Sequence, residues 1–117
     1  MNLDELKHLV VDALEDVKAV DIKLIDVQGR TSITDALVIA SGTSDRHIKA
    51  LAENVVVKAK EAGIQPLGVE GQDSRDWVLV DLNDVVVHIM LPEVRDFYNL
   101  EKLWQLEDSG ASVADSE

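Results

Sequence analysis

Residues 76–104 read DWVLVDLNDVVVHIMLPEVRDFYNLEKLW. Two aliphatic runs flank Asn83-Asp84 and read as a hairpin. With those two residues as the turn, position 82 faces 85, 80 faces 87 and 78 faces 89. One face then carries Val78, Val80, Leu82, Val85, Val87 and Ile89. It is wholly aliphatic and is assigned to the core. The other carries Trp77, Leu79, Asp81, Val86, His88 and Met90. A mixed set of that kind is expected to be only partly covered and open to a partner. A slip of one residue would invert both assignments. Pro92 ends the second strand and can begin a helical turn. Beyond it Val94, Phe97, Leu100, Leu103 and Trp104 offer a helical stripe over 93–104. Neighbouring helical residues point about 100° apart, so Phe97, in register with Val94, is assigned to the core and Tyr98 to the surface. Phe97, Tyr98 and Trp104 are three of the chain's four Phe, Tyr and Trp residues, and Trp77 is the fourth. Such a gathering either seals a small core or builds a contact surface, since aromatics bury much area at little entropic cost.

The flanking sequence supplies the layers around this hairpin. Leu3, Leu6, Val10, Ala13, Leu14 and Val17 predict an amphipathic helix over about residues 3–18, with Asn2 as its cap and Glu5 at the capping-box position. Residues 20–28 (VDIKLIDVQ) predict a strand whose apolar phase switches between Leu24 and Ile25, which suggests either a bulge or burial on both faces. Gln28-Gly29-Arg30 is a turn signal, and the run ALVIA (36–40) predicts a buried central strand. Ser41-Gly42-Thr43-Ser44 breaks that strand and opens a helix over about 45–62, capped by Thr43 or Ser44 and stopped by Gly63. Strand, glycine turn and helix in that order suggest a βα unit. Residues 66–70 (PLGVE) predict a short strand. Residues 105–117 are small, polar and acidic, without periodicity, and are expected to form a disordered tail to a single domain over 1–104.

The chain has 117 residues and 46% apolar composition, sufficient for one core without disulfides or metal. It has no cysteine, so thiolate zinc sites and cysteine nucleophiles are excluded. The N-terminus lacks an unbroken apolar run, so neither a signal peptide nor a membrane span is expected, and a cytoplasmic location is the default. Net charge is −12, of which residues 105–117 contribute −4. Such a chain should repel nucleic-acid phosphates and attract a basic protein surface, chiefly by raising the on-rate.

Sites of chemistry are few. The Gly42-Thr43-Ser44 turn could cradle a phosphate on helix amides, but it lacks a Walker lysine and reads more simply as a turn with a cap. A nucleotidyltransferase site would need paired carboxylates on a neighbouring strand for magnesium. Asp81 and Asp84 are the nearest, and Asp84 falls in the turn. His8, His47 and His88 have no metal-ligand spacing to one another. The first two read as solvated helix residues, and His88 as either a core-edge or a contact residue. Trp77 is open to two readings, a core-edge ring covered by the C-terminal segment or an interface anchor beside Leu79 and Met90.

The runs DALVIASGTS (35–44), GVEG (68–71), WVLVD (77–81), DVVVH (84–88), LPEVR (91–95) and YNLEKLW (98–104) together resemble the ribosomal silencing factors, or Iojap family, over about residues 3–104. The resemblance implies an α/β fold with a mixed sheet of about five strands and flanking helices, similar to nucleotidyltransferases but without their catalytic site. It implies no enzymatic activity, cofactor or metal. The implied function is translational repression under nutrient limitation. The implied partner is the large ribosomal subunit, through its protein number fourteen at the intersubunit face, where joining of the small subunit is blocked sterically. Carried over residue by residue, Trp77, Tyr98 and Leu100 become apolar anchors, and Asp81, His88, Asn99, Glu101 and Lys102 polar contacts. A degenerate nucleotide-binding or nucleotidyltransferase protein is the alternative. Homodimerisation of the free protein through the aromatic face also stands open.

Overall fold

The computed structural model of the chain describes residues 1–29, 34–100 and 102. Helix α1 (Leu3–Asp16) forms where the apolar stripe predicts it. The Asn2 side chain accepts from the Glu5 N–H at 2.8 Å, and the Glu5 carboxylate accepts from the Asn2 N–H at 3.0 Å, completing the capping box. Strands β1 (Val20–Asp26) and β2 (Ala36–Ser41) follow, then helix α2 (Asp45–Glu61), strands β3 (Gly68–Glu70), β4 (Trp77–Asp81) and β5 (Val85–Met90), and helix α3 (Pro92–Tyr98). The strands form one five-stranded sheet in the order β1-β2-β5-β4-β3. β2 and β5 are parallel, and the other pairings are antiparallel.

The hairpin has the register its alternation predicts, with Val78 opposite Ile89 and Val80 opposite Val87. The Leu82 N–H closes the turn on the Val85 carbonyl at 2.9 Å, and Asn83 takes φ +75°, a conformation asparagine tolerates. The aliphatic face of the hairpin joins Ala36, Val38 and Ala40 of β2 under the apolar stripes of α1 and α2. The main core is therefore one sheet face covered by two helices. The opposite face holds a smaller cluster of Val27, Leu37 and Val86, with Ile25 and Leu79 at its edge.

Of the two alternatives for β1 the bulge is borne out, and two expectations for the C-terminal segment are corrected. β1 does carry a bulge: Val20 faces Ser41 but Lys23 faces Ile39, three steps on one strand against two on the other. The bulge lies ahead of the predicted phase switch, and most of the strand is exposed rather than buried on both faces. The stripe over 93–104 is not one helix. α3 ends at Tyr98, where Asn99 adopts φ +50°, ψ +52° and its N–H bonds the Arg95 carbonyl at 2.8 Å. The buried residue of α3 is Arg95, and Phe97, two residues and about 200° further round the helix, points away from the core and is 80% exposed. The tail over 105–117 and Trp104 lie outside the described residues.

Candidate functional site

The mixed face of the hairpin and the C-terminal end of α3 meet at one corner of the sheet. Strand alternation puts Trp77, Leu79 and Asp81 of β4 on the same side as Val86, His88 and Met90 of β5. Met90 and Val86 are buried, while Trp77, Leu79, Asp81 and His88 are partly exposed. Partial cover, expected from the composition of that face, therefore holds for four of its six residues.

At this corner four rings form a chain of contacts. Trp77 and His88 have centroids 5.8 Å apart, and the indole Nε1–H donates to His88 Nδ1 at 3.1 Å. Nδ1 is thus the acceptor, which places the proton of the neutral imidazole on Nε2. Burial pushes the His88 pKa down from 6.5 to about 4, keeping the ring in the neutral form that this bond requires. The Tyr98 ring lies 5.1 Å from that of Trp77 with a 50° tilt, and Phe97 stands edge-on to Tyr98 at 5.0 Å. Such tilted and edge-on pairs are favoured by the ring quadrupoles. Tyr98 is 55% exposed. The rings hold one another in place yet keep most of the Phe97 and Tyr98 surface open.

The loop before Trp77 orients it. Ser74 Oγ accepts from the Trp77 and Asp76 N–H groups, both at 3.2 Å, and donates to Asp76 Oδ1 at 2.9 Å. Gly71, at φ +84°, lies so close that a Cβ there would collide with the Trp77 carbonyl oxygen. A shallow cleft of about 350 Å³ opens beside the indole, lined by Glu70, Gly71, Ser74, Asp76, Trp77 and Leu79. A larger groove of about 670 Å³ between α1 and α2 has no Phe, Tyr or Trp in its lining.

The other residues named from sequence divide by position. Asp81 lies at the far end of β4 from Trp77, and its Oδ1 accepts from the Asn83 N–H at 2.8 Å, bracing the hairpin turn. Asn99 joins α3 to the next turn, its Oδ1 accepting from the backbone N–H of Lys102 at 3.3 Å, and Lys102 is exposed. Leu100 is partly exposed. Glu101 lies outside the described residues. Phe97 was missed because its spacing from Val94 made it look buried. Only its place beside Tyr98 in the sequence hinted otherwise.

The glycine turn after β2 is engaged by the protein itself. The Gly42 N–H bonds the Met90 carbonyl at 3.1 Å, and the Thr43 N–H donates to His47 Nδ1 at 2.9 Å. Ser44 Oγ accepts from the His47 N–H at 3.1 Å, so Ser44 is the cap. His47 is not a solvated bystander: its Nε2, which carries the proton when Nδ1 accepts, bonds the Val17 carbonyl at 2.7 Å and ties α2 to the end of α1. Gly42 is required by close approach, because a Cβ would stand 2.7 Å from Ile48 Cγ2. Among the described residues, no group of three or more His, Cys, Asp and Glu side chains is placed to hold a metal ion. No helix there is long and apolar enough to cross a membrane.

Comparison with known proteins places this arrangement among relatives. The family profile described as "Ribosomal silencing factor during starvation" matches residues 1–117. The ribosomal silencing factor RsfS of Chromobacterium violaceum is 50% identical over 104 residues, covering 89% of this chain and 85% of the relative. That of Haemophilus influenzae is 42% identical over 99 residues, covering 85% and 97%. A crystal structure of a Chromobacterium violaceum protein, 50% identical, superposes with a TM-score of 0.88 over 90% of this chain and 88% of the other.

Proposed function

This chain belongs to the ribosomal silencing factor family, and from that premise we propose that it represses translation without catalysis, by docking through the Trp77–Tyr98 corner onto a basic protein of the large ribosomal subunit. The partner is the large-subunit protein number fourteen, at the face where the small subunit would join, and the block is steric. The setting is the cytoplasm under nutrient limitation. The observation that carries this reading is the exposed ring cluster on a chain of net charge −12. Large aromatic surfaces left open are typical anchors of protein interfaces. Glu70 and Asp76, lining the cleft beside the indole, suit a partner bearing Lys or Arg.

Trp77, Tyr98 and Leu100 serve as apolar anchors, with Phe97 added to them. Asp81, His88, Asn99, Glu101 and Lys102 supply polar contacts at the rim. His88 contributes chiefly by holding the indole, since its Nδ1 is engaged there. The nucleotidyltransferase alternative finds less support. The amides of its glycine turn are already engaged, Gly42 N–H on the Met90 carbonyl and Thr43 N–H on His47 Nδ1, and Asp81 braces a turn rather than converging with Asp84.

Sedimentation with purified large subunits tests the reading. Tyr98→Ala should weaken co-sedimentation by roughly 1–4 kcal/mol, the range of an interface anchor, with unchanged melting temperature. Small subunits added to the same gradient should fail to join when the wild type is present. Wild-type recovery of the Tyr98→Ala protein with large subunits would refute the docking assignment. A melting-temperature rise with magnesium and nucleotide would favour the enzymatic alternative.

A further inference from the structure

Helix α3 brings Tyr98 to Trp77, yet it has little to hold it in place. It is seven residues long, far too short to be stable alone. Its buried residue is a charged one, Arg95, only 5% exposed. The guanidinium reaches two strands at once. Nη1 donates to Ser41 Oγ at 2.9 Å, at the end of β2, and approaches the Val20 carbonyl of β1 at 3.5 Å. Nη2 lies 3.7 Å from Asp21 Oδ2. Asp21 has φ +54° and sits within the bulge between Val20 and Lys23. The bulge thus brings a carbonyl and a carboxylate to the same guanidinium. A planar fork can satisfy several acceptors in fixed directions, which an ammonium cannot do.

We propose that Arg95 is the positioning residue of the docking surface. By clamping α3 to the β1 bulge and the end of β2, it sets Tyr98, three residues further along the helix, against the Trp77 ring. The inference rests on reading that corner as the docking site, but its first consequence appears in the free protein. Tyr98 is the chain's single tyrosine, so its ring protons can be assigned without ambiguity. In the wild type they should show cross-relaxation to the Trp77 indole, as expected for centroids 5.1 Å apart. Arg95→Met keeps an unbranched, buriable stem and removes the fork. It should fold with the hairpin intact, lose the Tyr98–Trp77 cross-peaks, and bind large subunits at least tenfold more weakly. Arg95→Lys, which can pair with Asp21 but cannot reproduce the fork, should restore part of both signals. Asp21→Asn, a change at an exposed side chain, should weaken the cross-peaks without lowering the melting temperature, and it decides the matter if Arg95→Met does not fold.

Unchanged cross-peaks in folded Arg95→Met, or in Asp21→Asn where that variant decides, would overturn the proposal. A variant that lowers the melting temperature but keeps the cross-peaks in its folded state would overturn it too, because Arg95 would then be only a stabilising residue. Lost cross-peaks with unchanged ribosome affinity would leave the clamp standing and overturn the docking reading.

Discussion

Acid should destabilise this fold through His88. Its folded pKa is pushed down to about 4 from 6.5, and the cause is burial. Above pH 6.5 the ring is neutral in both folded and unfolded chains, and stability owes nothing to its titration. As pH falls below 6.5 the unfolded chain takes up the proton first, so stability drops until the folded state protonates near pH 4. Below that the contribution of His88 is constant. A shift of about 2.5 units at about 1.4 kcal/mol per unit sets the loss at no more than about 3–4 kcal/mol. His88→Gln isolates the effect: its side-chain oxygen can accept from the Trp77 indole and does not titrate. Urea midpoints measured from pH 7.5 to 4 should fall more steeply for the wild type than for His88→Gln. The two curves should diverge between pH 6.5 and 4. Parallel curves across that window would show that His88 is not desolvated, and would remove the argument that its neutrality holds the indole in place.

Gly71→Ala should cost about 1–3 kcal/mol in thermal unfolding, and more than Gly29→Ala. Both glycines have φ near +85°, but a Cβ at Gly71 meets the Trp77 carbonyl whereas one at Gly29 meets nothing within 4 Å. Equal penalties would mean that the loop does not press on Trp77. Ser44→Ala should lose about 1 kcal/mol by urea titration, because Ser44 accepts the His47 N–H. Thr43→Ala should lose less, since the Thr43 hydroxyl lies only near His47 Nδ1, at 3.3 Å.

What was legible in the sequence follows from how local the signals are. The hairpin register came from strict alternation on both sides of a two-residue turn, so every pair from Val78–Ile89 to Val80–Val87 follows from counting. Asn2, Glu5 and Ser44 act within four residues of themselves. Arg95 was illegible for the opposite reason. Its partner Ser41 lies 54 positions away and the Val20 carbonyl 75, and a charged residue on a short helix ordinarily reads as solvated. The same holds for His47, whose bond to Val17 spans 30 positions. Phe97 is misplaced by its register with Val94, because the side of α3 that faces the sheet is that of Arg95, about 200° round the helix from Phe97. The break of the stripe is equally silent in the sequence, since Asn99 permits a left-handed backbone without announcing it. The resemblance pointed to Trp77 and Tyr98, whereas their mutual contact, and the continuation of the rings to Phe97 and His88, required coordinates.

The separation of residue types explains why this corner is available to a partner. The buried core is built from Val, Ile, Leu, Ala and Met, and none of the described aromatic rings belongs to it. Covering Phe97 would have stabilised the monomer by roughly 1.5–3 kcal/mol, a gain the monomer forgoes. The rings instead contact each other, which fixes their directions before any partner arrives and reduces the entropy lost on binding. The acidic surface acts at a different stage. Charge spread over the molecule speeds approach to a basic protein and is weakened by salt. Rings at a desolvated contact govern how slowly the complex comes apart. On the proposed docking, where the partner is a basic protein lying amid ribosomal RNA, charge would select the neighbourhood and the rings would retain the position. With Arg95 fixing the helix that carries two of them, the surface is assembled before encounter, from a core that needs no aromatic residue.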